Sequence, residues 1–277
     1  MDRHKAFRPI TAEPFHNSHG FVEFLPCEPL KPYIRCFWGA LREPFRENGR
    51  SANSSFVTPD VCVDTIFMVD SACGRVDSMF CGINDKYFQA QTADMERSSV
   101  FAVRFYAWAA ILFSQEGFQG TKNQFYGTGV HFEKLKRKLE PALLTIDTME
   151  GRILAAERIL LELMRPDRED SLLMRAVDKM IESQGNLKIL EMATDLHISD
   201  RQIERIFQKC IGCTPKKMAE LIRYQYVWQE ACFNPRFHIL DGVHKFGFSD
   251  QAHLLNSFRN LHGMPLKKAR EYAAGKA

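Results

Sequence analysis

Two stretches, HISDRQIERIFQKCIGCTP at 197–215 and GFSDQAHLLNSFRNLHGMP at 247–265, read as relatives of each other. His197 aligns with Gly247, Ile198 with Phe248 and Ser199 with Ser249 at an offset of 50; Phe207 and Phe258, then Gly212 and Gly263, align at 51, and Pro215 returns to 50 against Pro265. Each copy carries a short apolar helix, a tight turn, a serine at the next helix start, a second helix, and then a glycine and a proline. That order is the form of a helix-turn-helix. Small Ala193 lets the first helix approach the second, Ile198 or Phe248 plugs the angle between them, and Ser199 or Ser249 is placed to cap the second helix. Ile203, Ile206 and Phe207 then face inward, as do Leu254 and Phe258. Arg201, Gln202, Glu204 and Arg205 face outward in the first copy, and Gln251, Ala252, His253 and Asn256 in the second. Forked donors and amides of this kind suit base edges in a major groove.

The connector, residues 215–233, opens with a proline at the helix start. Met218, Leu221, Ile222, Val227 and Trp228 give it a broad apolar side. At about 1.5 Å per residue such a helix is roughly 28 Å long, against roughly 34 Å for one turn of B-DNA. A rod of that length can hold two recognition helices on one face of a duplex, in successive major grooves.

Residues 171–277 resemble the DNA-binding region of the AraC/XylS transcription regulators. The resemblance is carried by LEMATDLHISDRQIERIFQKCIGCTP, by Arg223 in the connector, and by GFSDQAHLLNSFRNLHGMP. It implies two helix-turn-helix units, 187–210 and 239–260, joined by the linker helix. His197 stands where glycine is usual at the first turn, Val243 stands where alanine is usual, and HGMPLKKARE lacks the common Tyr-Arg ending. Arg201, Arg205 and Gln251 are the expected base readers, with Gln202, His253 and Asn256 beside them. Lys209, Lys216, Lys217, Arg259, Lys267 and Lys268, near helix ends, are the expected phosphate grips.

Charge agrees in sign with that half. The chain of 277 residues carries a formal net charge of +3. Residues 1–170 hold 21 Lys and Arg against 23 Asp and Glu, a balance of −2, whereas residues 171–277 hold 16 against 11, or +5. The junction is set at RPDRED, 165–170, where Pro166 stops a helix; Ser171 is placed to cap the next one, which ends near Gly185.

Upstream, GFVEFL, PYIRCFWGAL, VCVDTIFMV, RVDSMFCGI and SVFAVRFYAW are short, apolar and divided by turn residues. The fold class expected is therefore α+β: a β-rich barrel or sandwich over 15–110, helices over 111–165, then an all-α region. Two domains with separate cores, 1–165 and 171–277, follow from the length. LKPYIRCFWG, TPDVCVDTIF and FAVRFYAWAA resemble a sensor-like domain that precedes such regions in some AraC-type proteins, which implies a regulatory role. Trp38, Asp64, Arg104, Tyr106 and Trp108 are candidates for lining an effector pocket; equally, the aromatics belong to the core and Asp64 pairs with Arg104. A guanidinium inside FAVRFYAW needs a partner or an acidic ligand.

Eight cysteines, at 27, 36, 62, 73, 81, 210, 213 and 232, are scattered through apolar sequence, and most read as reduced and buried. CIGC at 210–213 has redox or zinc spacing, but its Gly212 is the repeat's turn landmark, and no second pair follows. HNSH at 16–19 is a weaker metal candidate still. No nucleophile elbow or Gly-rich phosphate loop is present. The expected activity is thus binding without catalysis, cofactor or metal. The expected protein is a cytoplasmic, non-membrane homodimer that binds double-stranded DNA under a small-molecule signal, acting as an activator that recruits RNA polymerase. The alternative is a Cys-dependent alkyl-transfer or redox-sensing protein fused to the same region.

Overall fold

Strands β1 (Val22–Phe24), β2 (Ile34–Ala40), β3 (Ser54–Val57), β4 (Cys62–Asp70), β5 (Arg75–Cys81), β6 (Phe88–Gln91), β7 (Ser99–Tyr106) and β8 (Phe125–Gly127) appear in a computed structural model that describes residues 1–15, 21–41, 54–91 and 99–275. The histidines of HNSH lie outside the described residues. One antiparallel sheet runs β1-β2-β7-β4-β5-β8, and β3 pairs with β6 as a separate ribbon. The long strands β2, β4 and β7 are central and buried on both faces, which is why their sequences are nearly continuous apolar runs.

The helical stretch expected from residue 111 starts only at 129. Residues 110–112 make a single 3-10 turn, and β8 follows. The intervening SQEGFQGTKNQFYGTG cannot sustain a helix, because Gly120 and Asn123 sit at positive φ (79° and 58°). Helices α2 (Gly129–Thr145) and α3 (Met149–Leu163) then cover one face of the sheet. Phe132 of α2 stacks on Phe105 of β7 at 5.2 Å and lies 5.9 Å from Phe80 of β5. Arg152 of α3 is buried and donates to Ile146 O at 2.9 Å, Leu143 O at 3.1 Å and Ser99 Oγ at 2.9 Å.

Beyond the junction come α4 (Ser171–Glu182), α5 (Ile189–Asp195), α6 (Asp200–Cys210), α7 (Pro215–Phe233), α8 (Ile239–Lys245), α9 (Gln251–His262) and α10 (Leu266–Ala273). The cap of α4 is Asp170, whose carboxylate accepts from the N–H groups of Leu172 and Leu173 at 3.0 Å; Ser171, expected there, is the first helical residue. A carboxylate both accepts and complements the positive helix end, so it displaces a neighbouring hydroxyl.

The two halves do not have separate cores. A single apolar cluster runs from the sheet through Ala107–Phe113 and Phe118 into α4, α6 and α7. The cause is AWAAILF, 107–113, which is buried throughout between sheet and helices. A second tie was not visible in sequence. The N-terminal segment, with α1 (Arg3–Ala6), lies along α7 and hands it backbone acceptors: Ala6 O takes Tyr226 Oη (3.1 Å), Arg8 O takes Gln229 Nε2 (3.1 Å), Ile10 O takes Gln225 Nε2 (3.1 Å) and Thr11 O takes Trp228 Nε1 (2.9 Å). Among the described residues no helix is long and apolar enough to cross a membrane.

Candidate nucleic-acid interface

The repeat seen in sequence is a repeat of geometry. In the first copy Ile198 N donates to Ala193 O at 3.1 Å, and in the second Phe248 N donates to Val243 O at 3.0 Å. Both bonds span a residue in the left-handed region, His197 at φ 57° and Gly247 at φ 65°. His197 therefore adopts the conformation for which glycine is the usual choice. Ser199 caps α6 as expected, accepting from Gln202 N at 3.2 Å. Ser249 does not cap α9. Asp250 does, accepting from His253 N at 2.7 Å, while Ser249 Oγ donates to Asp250 Oδ2 and meets His253 Nδ1, both at 3.1 Å. The inserted residue that turns the repeat offset from 50 to 51 is thus located at this cap.

Downstream of the caps, Ile203, Phe207, Leu254 and Phe258 are buried and Ile206 is half-buried. Arg201, Arg205 and Lys209 are exposed on α6, with Gln202 half-buried; Gln251, Ala252, His253, Asn256 and Arg259 are exposed on α9. Among the described residues the side chains of Arg201, Arg205, Gln251 and Asn256 have no hydrogen bond or ion pair with the protein. Lys216, Lys267 and Lys268 are likewise exposed, but Lys217 is half-buried and pairs with Glu220 at 2.7 Å, so part of its charge is already matched.

Residues 192–272 match the family model described as a helix-turn-helix domain, over the span that holds these two copies and their connector. The C-terminal part of the chain is an AraC-type helix-turn-helix domain. Residues 22–126 match a second model, described as a domain of unknown function. No curated protein matches the chain significantly. The solved structures it is similar to include ToxT from Vibrio cholerae bound to an unsaturated fatty acid, with a TM-score of 0.41 and 10% identity over 80% of this chain and 91% of that one. A 1.65 Å structure of ToxT gives 0.41 and 9% over 81% and 95%. ToxT bound to (E)-4-(8-methylnaphthalen-1-yl)but-3-enoic acid gives 0.41 and 8% over 81% and 96%. At these scores the overlap is loose.

In this AraC-type domain α7 is more than a spacer. Pro215, Met218, Leu221, Ile222, Tyr224, Gln225, Val227 and Trp228 are all buried on it, so the rod is held around most of its girth. The second helix-turn-helix copy also touches the linker helix and the segment that leads into the first copy. The Arg223 guanidinium of α7 sits 4.5 Å over the Phe248 ring, and a Cβ on Gly247 would lie 2.2 Å from the Asn186 side chain that leads into the first copy. Gly247→Ala is therefore expected to lower stability by about 1–2 kcal/mol through the φ it strains. It should also separate the two copies at that joint, which a thermal melt and a DNA footprint of the variant would register as a lower midpoint and an altered distance between protected segments.

The AraC-type domain docks on two loops of the N-terminal half that are themselves bonded together, Asn123 N to Ile83 O at 2.9 Å and Lys122 Nζ to Asp85 Oδ2 at 2.8 Å. Phe118 N donates to Lys209 O at 2.8 Å, at the end of α6. A Cβ on Gly212 would lie 2.5 Å from Phe118 O, and one on Gly263 would lie 2.5 Å from the Tyr87 ring. These loops thus hold the C-terminal ends of α6 and α9 and leave their N-terminal turns exposed.

His262 closes α9 within this docking region, buried among Phe56, Trp228 and Phe258. Its Nδ1 meets Tyr224 Oη at 2.7 Å. Burial holds the imidazole down at about 3, against an ordinary 6.5. The folded chain keeps it neutral while the unfolded chain takes a proton below about pH 6.5, so its stability is intact above that pH and is lost as pH falls. At pH 5 the loss from this group is about 2 kcal/mol. Denaturant midpoints at pH 7 and pH 5 test this, and His262→Gln should shrink the difference by about that amount, leaving the part that His131, also held down by burial, contributes with the same sign.

The effector candidates divide. Cys36, Arg104, Asp64 and Cys81 stand opposite one another across β2, β7, β4 and β5. Arg104 Nε lies 3.0 Å from Asp64 Oδ1, its Nη1 lies 3.2 Å from Asp60 Oδ2, and Trp38 Nε1 donates to Asp64 Oδ1 at 2.8 Å. The guanidinium thus has two carboxylates. Asp60 was missed in sequence, although TPDVCVD brackets Cys62 with two acids. Tyr106 and Trp108 are buried and stacked on each other at 4.7 Å, with Phe7 6.3 Å from Trp108. They belong to the junction with the N-terminal segment. The buried cysteines are poor nucleophiles: burial pushes the thiols of Cys36, Cys81 and Cys213 up to about 12 and that of Cys210 to about 11, whereas Cys27 and Cys232 are half-buried and Cys73 is exposed. Among the described residues no three metal-ligating side chains are placed to hold an ion.

Proposed function

We infer that the chain is a sequence-specific DNA-binding transcription regulator of the AraC/XylS type, with binding rather than catalysis as its activity. One observation carries this: two repeat-equivalent helices, α6 and α9, present exposed polar side chains without protein partners and are joined by a buried 19-residue rod. Ser199, Arg201, Gln202 and Arg205 enter one major groove, and Ser249, Gln251, His253 and Asn256 the next. Lys209, Lys216, Arg259, Lys267 and Lys268 meet phosphates on either side, with Lys217 the weakest of the set. The test is the affinity of the full chain for duplex DNA, by fluorescence anisotropy, between 50 and 200 mM salt. A steep linear fall of log affinity with log salt is expected; no salt-dependent binding would overturn the reading.

The N-terminal half acts on DNA binding through pose. The loops at 82–88 and 115–124 support the ends of both recognition helices, and the N-terminal segment grips the rod between them, so a change in that half moves both readers together. A small-molecule effector and a homodimer interface belong to this half, in the cytoplasm, with RNA polymerase recruited to activate transcription. Effector binding at Trp38, Asp64 and Arg104 has to open a network that is already paired, so an acidic ligand would compete with Asp60 and Asp64. The alkyl-transfer alternative is not favoured, because the strand cysteines Cys36, Cys62 and Cys81 are buried and held protonated.

A further inference from the structure

We propose that the two half-sites differ in base content: α6 reads a guanine-bearing half-site and α9 an adenine-and-thymine-bearing one. This rests on the DNA-binding reading above and adds what that DNA must contain.

Aligning the true caps, Ser199 with Asp250, fixes which side chains are equivalent. Arg201 then stands opposite Ala252, Arg205 opposite Asn256 and Lys209 opposite Asn260. All six are exposed, on equivalent turns of equivalent helices. Three cations in one reader have become a methyl and two amides in the other. One exchange runs the other way: Arg259 stands opposite Gln208, near the helix end.

The hydrogen-bonding consequence is sharp. A guanidinium presents parallel N–H donors and no acceptor, which matches the O6 and N7 acceptors of guanine and clashes with the N6 amino donor of adenine. Asp200, exposed at the first position of α6, is an acceptor only and suits the N4 amino group of the paired cytosine. A carboxamide presents one donor and one acceptor, which matches N7 and N6 of adenine, and the Ala252 methyl suits the thymine C5 methyl. Gln251, opposite Asp200, repeats the amide chemistry on α9. Because Arg201, Arg205, Gln251 and Asn256 have no partner among the described residues, no protein contact has to break before they read.

The test is selection of bound duplexes from a random pool by the full chain, and by Arg205→Ala, Asn256→Ala and Asn256→Arg variants whose circular dichroism melts match the parent. The expected result is a motif with guanine in one half and A·T pairs in the other, about 10 base pairs apart. Arg205→Ala should weaken the guanine preference roughly 10- to 100-fold in that half alone. Asn256→Arg should bring guanine into the other half. Two like halves, or variants that leave both preferences unchanged, would overturn the proposal while leaving DNA binding intact. No enrichment and no salt-dependent affinity would overturn the DNA-binding reading itself.

Discussion

Replacing both Arg201 and Arg205 by alanine should lower affinity for the preferred DNA by about 2–6 kcal/mol, two forked contacts at 1–3 kcal/mol each. Both side chains are exposed and unpartnered in the free protein, so their removal leaves no buried group unsatisfied. The melt should therefore stay within about 0.5 kcal/mol of the parent. Affinity for unrelated DNA should fall much less. The contrast is Lys267→Ala with Lys268→Ala, on the exposed side of α10: there binding should weaken on all sequences alike and the salt slope should flatten. Anisotropy titrations on preferred and scrambled duplexes separate the two patterns. A double arginine variant that loses affinity equally on both would place these side chains on phosphates instead of bases.

The second large effect lies far from DNA. Arg152→Met should cost about 3 kcal/mol of folding stability, read as the shift of a denaturant midpoint in the full chain. Methionine keeps the apolar stem, but Leu143 O and Ile146 O lose a donor at the C-terminal end of α2, and Ser99 Oγ loses one at the start of β7. Helix C-terminal carbonyls have no partner within their own helix, and these two are supplied by a guanidinium from α3. Burial holds the pKa of Arg152 down, though a guanidinium stays charged at neutral pH. Three acceptors left without their donor at once, that of Leu143 fully buried and the other two partly, should lower stability as a unit; a midpoint unchanged from the parent would mean that water reaches all three.

The C-terminal half was legible because its signals are local. Pro215 opens α7 and Phe233 ends it at the bounds the pattern gave. Gly212 and Gly263, at φ 90° and 83°, terminate α6 and α9 where the repeat placed them. Even there, serine was read as the cap at 171 and 249, where a neighbouring aspartate takes the bonds. The motif specifies an oxygen at the helix start, and the choice between adjacent oxygens is made by backbone direction and by the helix's positive end.

The N-terminal half was legible in its strands and not in its long-range ties. Nothing periodic marks residues 6–11 as the acceptors for α7, since backbone carbonyls leave no trace in a sequence. Arg104 could be seen to need a partner, but whether that was Asp60, Asp64 or a ligand depended on which strands became neighbours. Trp108 read equally well as pocket wall or core, and its stack on Tyr106 puts it in the core.

The span between the two readers is tested most directly by hydroxyl-radical footprinting of the full chain on its preferred duplex, repeated with five base pairs inserted between the half-sites. The predicted result is two protected segments on one face, about one helical turn apart, and loss of one of them after the insertion because α7 cannot stretch or rotate. Protection of a single segment, or two segments that both survive the half-turn insertion, would contradict a rigid tandem pair.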